Sequence, residues 1–229
     1  MKKRYFIIII LSILLINTNF VYYKKYITNE VKKIDVPEQI VKEVIPEIDI
    51  KSLQEEYNNK DIYAYLKIDS LGISSPIVQG KDNEYYLDHS IYKEKDSNGS
   101  IFLDYRNKFD DRKLLIYGHN SRTLKTALFH DLEKYIDKAY FEKHKYIELS
   151  LNNQKNTYEI FSVMIVTGNK HMKVTFNDKE FVQHISWMKK SSIYEINTNV
   201  GITDKTITLQ TCYYEPSNSY LLINAKKIK

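Results

Sequence analysis

Eight short apolar or alternating stretches limit most strongly what this chain can fold into. They lie at residues 63–68, 73–78, 100–105, 113–118, 146–151, 157–167, 206–212 and 220–228. Turn-forming residues such as Asp69-Ser70-Leu71-Gly72 and Asn152-Asn153 separate many of them, which is the usual sequence pattern of consecutive β-strands. Eight short strands with few helices predict a mostly β fold that closes into an eight-stranded barrel.

Three stretches predict helices. The first is 52–59, before the first strand, and the third is 178–190, which begins with Asn177 or Asp178 as a cap and carries Phe181, Ile185 and Met188 on one face. The second follows His119, where residues recur at helical spacing: Leu124, Ala127, Leu128, Leu132 and Tyr135.

The N-terminus predicts a single membrane-spanning helix. After three cations at residues 2–4, residues 5–23 are largely apolar and would extend ~28 Å as a helix, close to the thickness of a bilayer core. The alternative is a cleaved signal peptide, but no small-x-small cleavage motif follows the apolar run. We therefore expect residues 1–26 to anchor the chain in the cell membrane and residues 27–50 to be a spacer. Residues 51–229 are then one folded domain on the extracellular face.

The positive net charge does not indicate a nucleic-acid partner. The formal net charge is +5, and five of the cations lie in residues 1–26, which contain no acidic residue. Residues 27–229 are therefore neutral overall, whereas nucleic-acid binding requires a basic surface.

Cys212 is the only cysteine, and it ends the strand-like run 206–212. In an exported protein, an unpaired cysteine is either a reactive group or a small buried hydrophobic residue. A second strand-like run presents His119 at its end in the same way. A cysteine and a histidine far apart in sequence are the usual arrangement of a thiol nucleophile and its acid/base partner, although His119 alone is also compatible with an ordinary strand-end histidine.

These two runs resemble a known family. Thr208-Leu-Gln-Thr-Cys212 and Tyr117-Gly-His-Asn120 are similar to the active-site strands of sortases, the thiol transpeptidases of Gram-positive cell surfaces. The stretch from Val78 to Asn107 resembles class B sortases in particular. The resemblance extends from about Leu53 to the C-terminus. It implies a sortase-type barrel in which residues 168–205 form the long, helix-bearing connection between strands six and seven.

The resemblance also implies a reaction. Cys212 would attack a threonine carbonyl in the C-terminal sorting signal of a secreted protein and form a thioacyl-enzyme. His119 would protonate the leaving amine and later deprotonate the incoming one, which comes from a cell-wall precursor or a pilin. Residues expected in the substrate site are Asn83, Leu87, Asn120, Gln210 and Thr211. For Asn83 and Leu87, a turn residue and a core leucine are equally good readings, and Asn120 is expected to orient His119 through a hydrogen bond.

Two positions depart from the family. Sortases carry an oxyanion-stabilising arginine on the strand after the cysteine, and this chain has Tyr220 there. Gln210 stands where the family usually has serine. Three explanations stay open: an engineered variant of an active enzyme, a diverged and weak or inactive homologue, or a charge supplied from elsewhere by Arg122 or Lys226.

No cofactor or metal is expected, because the histidines other than His119 show no ligand spacing. The prediction is thus a membrane-anchored cysteine transpeptidase of sortase B type, with activity reduced at Tyr220. The alternative is a module on the same fold that binds sorting-signal peptides without turnover. A hydrolytic thiol protease, in which water resolves the thioacyl group, is a third and weaker option.

Overall fold

Eight β-strands close into a barrel in the computed structural model, which describes residues 48–121 and 128–229. The strands are β1 (Ile62–Ile68), β2 (Ile73–Val78), β3 (Phe102–Leu103), β4 (Lys113–Tyr117), β5 (Tyr146–Leu151), β6 (Gln154–Thr167), β7 (Thr206–Tyr213) and β8 (Ser219–Lys227). Their order is β1-β2-β3-β4-β7-β8-β6-β5, and pairing of β5 with β1 closes the ring. The predicted eight-stranded barrel is confirmed, and each predicted run overlaps one strand.

Two strand pairs are parallel, β2 with β3 and β4 with β7, and the remaining pairs are antiparallel. The run predicted at 100–105 is mostly outside regular pairing. Val78 donates to the Ile101 carbonyl at 3.1 Å, and Asp104 donates to the Leu115 carbonyl at 2.8 Å. The segment is therefore hydrogen-bonded on both sides of β3, although only two residues form a strand.

Alternating side chains fill the barrel. In β1 the buried positions are Ile62, Ala64, Leu66 and Ile68, and the residues between them are half-buried. Similar isoleucines and leucines from the other strands complete one apolar cluster. Each fully buried aliphatic side chain contributes about 1.5–3 kcal/mol, so this interior supplies the main stabilisation of the barrel.

Within residues 48–121 and 128–229, three α-helices lie outside the strands: α1 (Ile50–Glu56), α2 (Lys138–Lys143) and α3 (Asp178–Lys190). Four 3₁₀ helices accompany them, at Asp69–Leu71, Tyr85–Leu87, His130–Ile136 and Lys170–Met172. The helix predicted at 52–59 begins two residues and ends three residues earlier than expected. The helix predicted after His119 is a 3₁₀ helix in its described part, with Leu132 and Tyr135 buried, and residues 124 and 127 lie outside the described residues. The short helix α2 was not predicted.

Helix α3 agrees with its prediction in both position and buried face. Asn177 is the cap: its side chain accepts from the Glu180 backbone at 2.9 Å, while the Glu180 carboxylate accepts from the Asn177 backbone at 3.0 Å. This reciprocal pair satisfies two of the free N–H groups at the helix start. Phe181, Ile185 and Met188 are buried against β6 and β8, so the helix is fixed on the outside of the barrel.

No helix within residues 48–121 and 128–229 is long and apolar enough to cross a membrane. The predicted span 5–23 lies outside the described residues. The division into anchor, spacer and domain at residues 26 and 50 stays a prediction.

Candidate active site

The parallel pairing of β4 with β7 brings Cys212 and His119 to the same edge of the barrel. Tyr117 is level with Gln210 in this pair, so the residues two positions further along both strands, His119 and Cys212, are level as well. The Gly118 amide donates to the Gln210 carbonyl at 3.2 Å, which extends the pairing beyond the last strand residue. The backbone register alone therefore places the two predicted catalytic residues side by side.

Two further contacts fix this edge. The Thr211 hydroxyl donates to the Gly118 carbonyl at 2.7 Å, so Thr211 ties the two strands together rather than offering its hydroxyl to a ligand. A Cβ atom at Gly118 would lie 2.6 Å from the ring of the fully buried Phe129. Glycine is required there because any larger residue would push Phe129 away and displace the adjacent His119.

A groove of ≈ 260 Å³ opens beside the cysteine, and we call it the Cys212 groove. Seven of the predicted site residues line it: Asn83, Leu87, His119, Gln210, Thr211, Cys212 and Tyr220. Leu87 is exposed there, which contradicts its alternative interpretation as a core leucine. The remaining lining residues are Phe102, Tyr117, Gly118 and Met172. Phe102, Tyr117 and Gly118 lie within the motifs that carry the family resemblance, but nothing local in the sequence points to Met172.

Tyr220 lies directly opposite Cys212 on the neighbouring strand. The two residues are partners in the antiparallel β7–β8 pair, as the sequence predicted. The Tyr220 ring packs against the imidazole of His171, with 5.0 Å between ring centroids. The phenol is therefore held at one side of the groove and faces the same space as the thiol.

The thiol lies in an environment that favours its neutral form. Cys212 is exposed as a residue, but its surroundings partly desolvate the sulfur, and this burial raises the pKa of the thiol. No cation among the described residues counteracts the shift. Reactive cysteines usually have a neighbouring cation that lowers the pKa.

The His119 ring is anchored by a backbone carbonyl on the far side of the groove. Its Nε2 lies 2.6 Å from the Leu87 carbonyl oxygen. A carbonyl can only accept, so Nε2 carries the proton in this arrangement, and Nδ1 holds the free lone pair of the neutral ring. No hydrogen bond within the described part of the chain joins this ring to Cys212.

Asn120 does not orient the His119 ring in the way that the sequence suggested, and it does not line the groove. Its amide nitrogen donates to the Cys212 carbonyl at 3.0 Å and to Glu133, and its amide oxygen lies 2.8 Å from His130 Nδ1. This almost fully buried side chain connects the backbone of the cysteine to the 3₁₀ helix His130–Ile136. The structure makes Asn120 a support for the end of β7.

Asp104 supports the opposite side of the groove, a role that the sequence analysis did not assign to it. This fully buried carboxylate accepts from the Arg106 guanidinium, from the Tyr117 hydroxyl at 2.7 Å and from the Asn83 amide at 3.0 Å. Burial acts to raise the pKa of Asp104, but these hydrogen bonds outweigh burial and the pKa is lowered. A charged Asp104 thus positions two groove-lining side chains, Tyr117 and Asn83.

The sequence left open that Arg122 or Lys226 supplies the positive charge that Tyr220 lacks. Arg122 lies outside the described residues. Lys226 pairs with Thr206, at the opposite end of β7 from Cys212, and its ammonium lies 3.3 Å from Asp204. Lys226 is therefore excluded as a charge at the thiol. Among the described residues no group of three or more histidine, cysteine, aspartate or glutamate side chains is arranged to hold a metal ion.

Comparison with known proteins is consistent with this geometry. The sequence model of the sortase domain matches residues 66–228. The chain belongs to the sortase family. It is 37% identical to sortase B of Listeria monocytogenes over 158 residues, which cover 67% of this chain and 63% of the Listeria protein. The match thus spans less than two thirds of that relative.

Solved sortase B structures share the fold over most of the described chain. Sortase B of Clostridium perfringens superposes with a TM-score of 0.74 at 31% identity, covering 79% of this chain and 100% of that one. The Staphylococcus aureus sortase B–substrate complex gives a TM-score of 0.72 at 31% identity, covering 79% and 84%. The resemblance to class B sortases is confirmed.

Proposed function

We propose that this protein is a cysteine transpeptidase that cleaves a sorting signal and joins the released carbonyl to an amine. The observation that carries the proposal is the level placement of Cys212 and His119 at one end of the β4–β7 pair, open to the Cys212 groove. A thiol, an imidazole and an adjoining cleft for a peptide are the parts that acyl transfer requires. A substrate complex exists for a relative of the same fold, sortase B of Staphylococcus aureus.

The first half of the reaction forms a thioacyl-enzyme. The Cys212 thiol is protonated at neutral pH because burial raises its pKa, so its proton must pass to His119 as the sulfur attacks the threonine carbonyl. The carbon–sulfur bond forms, the peptide C–N bond breaks, and His119 returns the proton to the leaving amine.

The second half transfers the acyl group. An amine from a cell-wall precursor or a pilin attacks the thioacyl carbon and gives its proton to neutral His119. The carbon–sulfur bond breaks, and the sulfur leaves as the thiol once His119 returns the proton. Tyr220 donates a hydrogen bond to the oxyanion in both halves, in the place of the arginine of the family.

A second candidate function is peptide binding without turnover. Two observations favour it: Tyr220 carries no charge, and no described cation lowers the pKa of the thiol. Replacing a charged oxyanion donor with a neutral one costs on the order of 2–4 kcal/mol of transition-state stabilisation. The retained Cys212 and His119 favour slow catalysis over binding alone, because a binding module needs neither.

We also propose that residues 5–23 anchor the protein in the cell membrane with the barrel on the extracellular face, where secreted substrates and wall precursors meet. The apolar run and the cations beside it support this proposal.

The test incubates the barrel domain with a panel of sorting-signal peptides, with and without an amine acceptor. Mass spectrometry should detect a thioacyl adduct on Cys212, and a ligated product only when the amine is present. Cys212→Ala is the matched control. Peptide binding without any adduct would leave the binding module as the function, and hydrolysis that the amine does not divert would indicate a protease.

A further inference from the structure

A lysine is fully buried behind the Cys212 groove, and no acidic side chain of the described residues is within hydrogen-bonding distance of it. Lys113 is the first residue of β4 and has no exposed surface. Its ammonium donates to the His171 carbonyl, to the Lys173 carbonyl at 3.0 Å and to His184 Nε2 at 3.3 Å. An ammonium has three donors, and these three acceptors satisfy all of them.

Two of these acceptors belong to the segment 170–173, which we call the wall segment. It contains the 3₁₀ helix Lys170–Met172 and follows β6 in the chain. Met172 lines the groove, and the His171 ring packs on Tyr220. The wall segment thus contributes to the surface that a peptide would meet and supports the residue opposite the thiol.

Three successive carbonyls of the wall segment are held by cations. Lys113 binds those of His171 and Lys173, and the Arg106 guanidinium donates to the Met172 carbonyl between them at 2.8 Å. The same guanidinium is fixed by its two bonds to Asp104. Hydrogen bonds from charged donors are stronger than those between neutral groups, so this set is strong enough to fix the segment.

We propose that Lys113 is a positioning residue for the substrate groove: together with Arg106 it fixes the wall segment, and thereby Met172 and the support of Tyr220, in the form that accepts a peptide. The inference rests on the proposed function. It assigns Lys113 no contact with substrate, and it separates recognition, which depends on the wall segment, from the thiol, which depends on β4 and β7.

Of the three side chains in this cluster, Lys113 is the one that changes its protonation state near neutral pH. Desolvation lowers the pKa of Lys113 to about 7, with Asp104 opposing the shift and Arg106 adding to it. Burial and Lys113 lower the pKa of His171 to about 4 and that of His184 to about 3, so both rings are neutral.

The other described charged groups that face this cluster are Asp104 and Arg106 from the β3–β4 loop, and Lys170 and Lys173 from the connection after β6. The pKa of Asp104 is lowered and that of Arg106 is raised, so both stay charged near neutral pH. Loss of the Lys113 proton removes one of its three donors. Peptide affinity should therefore fall as pH rises through about 7, and a variant without the lysine should lack this step.

The experiment measures peptide affinity in a Cys212→Ala background, so that no turnover intervenes. A fluorescent sorting-signal peptide is titrated at pH 6 to 8.5 and followed by anisotropy. Lys113→Leu should raise the Kd of the peptide by about 10-fold at the lower pH, because the charged hydrogen bonds are lost. It should also abolish the fall in peptide affinity between the lower and the higher pH. Lys179→Leu, an exposed lysine on α3, is the matched control and should change neither. In the protein that retains Cys212, the rate of iodoacetamide alkylation should not change in Lys113→Leu.

Arg106→Gln removes the other cation that holds the wall segment, and its side chain is partly exposed. This variant replaces Lys113→Leu in the experiment if Lys113→Leu fails to fold. The ¹³C-methyl signal of Met172, assigned by its loss in Met172→Leu, reports the wall segment without any peptide. Unchanged affinity and an unchanged Met172 signal in both folded variants would overturn the inference. Failure of the unmodified groove to bind any sorting peptide would instead contradict the proposed function, and a shifted Met172 signal would still support the positioning role.

Discussion

Replacing Tyr220 with arginine should accelerate the proposed reaction. Tyr220 is the direct strand partner of Cys212, so a side chain at this position reaches the space beside the sulfur where the oxyanion forms. A phenol offers one neutral donor, worth about 1 kcal/mol, whereas a guanidinium offers a charged fork worth about 3 kcal/mol or more. The difference of about 2 kcal/mol corresponds to about a 30-fold gain in rate.

The surroundings of Tyr220 can accept the substitution. Its ring is half-buried and packs on His171, and the planar guanidinium can stack on the same imidazole. The lowered pKa of His171 keeps that ring neutral, so no charge on it repels the new cation. The gain should appear in kcat, because the oxyanion forms only after the substrate has bound.

The assay is steady-state transpeptidation of a fluorogenic sorting peptide with an amine acceptor. Tyr220→Phe keeps the ring and removes the donor, so it should be slower than the unmodified protein. Ser217→Arg, in the exposed turn before β8, adds the same charge elsewhere and should have no effect. Arginine at 220 should also lower the pKa of the Cys212 thiol, which alkylation rates detect without any peptide. An unchanged kcat in folded Tyr220→Arg, with faster alkylation, would show that the oxyanion donor lies elsewhere, and Arg122→Ala would then be tested.

Four further predictions address other parts of the molecule. Alkylation of Cys212 by iodoacetamide should accelerate only at a pH above that of an ordinary thiol, because burial raises its pKa, and an inert thiol under native conditions at high pH would contradict the nucleophile assignment. Asn120→Ala should lower kcat with little change in KM, because the Cys212 carbonyl and Glu133 lose their shared donor; a change in KM alone would refute this role. Lys113 has a pKa of about 7 in the folded state, whereas the ordinary lysine value of 10.5 applies in the unfolded state. Between these two pH values the unfolded state therefore binds more protons than the folded state. The free energy of unfolding should then rise by up to about 1.4 kcal/mol per pH unit in that window relative to Lys113→Leu, measured by urea titration at pH 7 and 9. Finally, N-terminal sequencing of the cell-associated protein should find residues 5–23 retained, whereas a start near residue 20–30 would indicate a cleaved signal peptide.

The barrel was predictable because each strand has a local pattern of apolar residues in the sequence. The alternation of β1 and the continuous apolar run of β4 report which faces are buried, and both elements lie where the pattern put them. The placement of Tyr220 was also predictable, because a short turn after Cys212 makes the next strand pair antiparallel with the strand that carries Cys212. The level placement of His119 and Cys212 came from the family motifs, because sequence alone does not indicate that β4 pairs with β7.

The supports of the site were not predictable, since they depend on contacts between distant segments. Lys113 looks like an ordinary polar start of a strand, and only the packing of α3 and the wall segment over it makes it buried. Asp104 resembles a turn residue until Arg106 and Tyr117 converge on it. Asn120 was expected to act on its sequence neighbour, but its amide faces the 3₁₀ helix that packs behind it.

These supports explain how the chain can depart from its family at position 220 and keep the site. The thiol and the imidazole are held by the backbone register of β4 and β7 and by Asn120, none of which involves Tyr220. The recognition side is held by Asp104, Arg106 and Lys113, which also act independently of it. A change at Tyr220 therefore alters the charge available to the oxyanion without altering where peptide, sulfur and imidazole meet. We therefore predict that the departure lowers the rate of the chemical step and leaves peptide affinity intact, which is why binding and turnover must be measured separately in this protein.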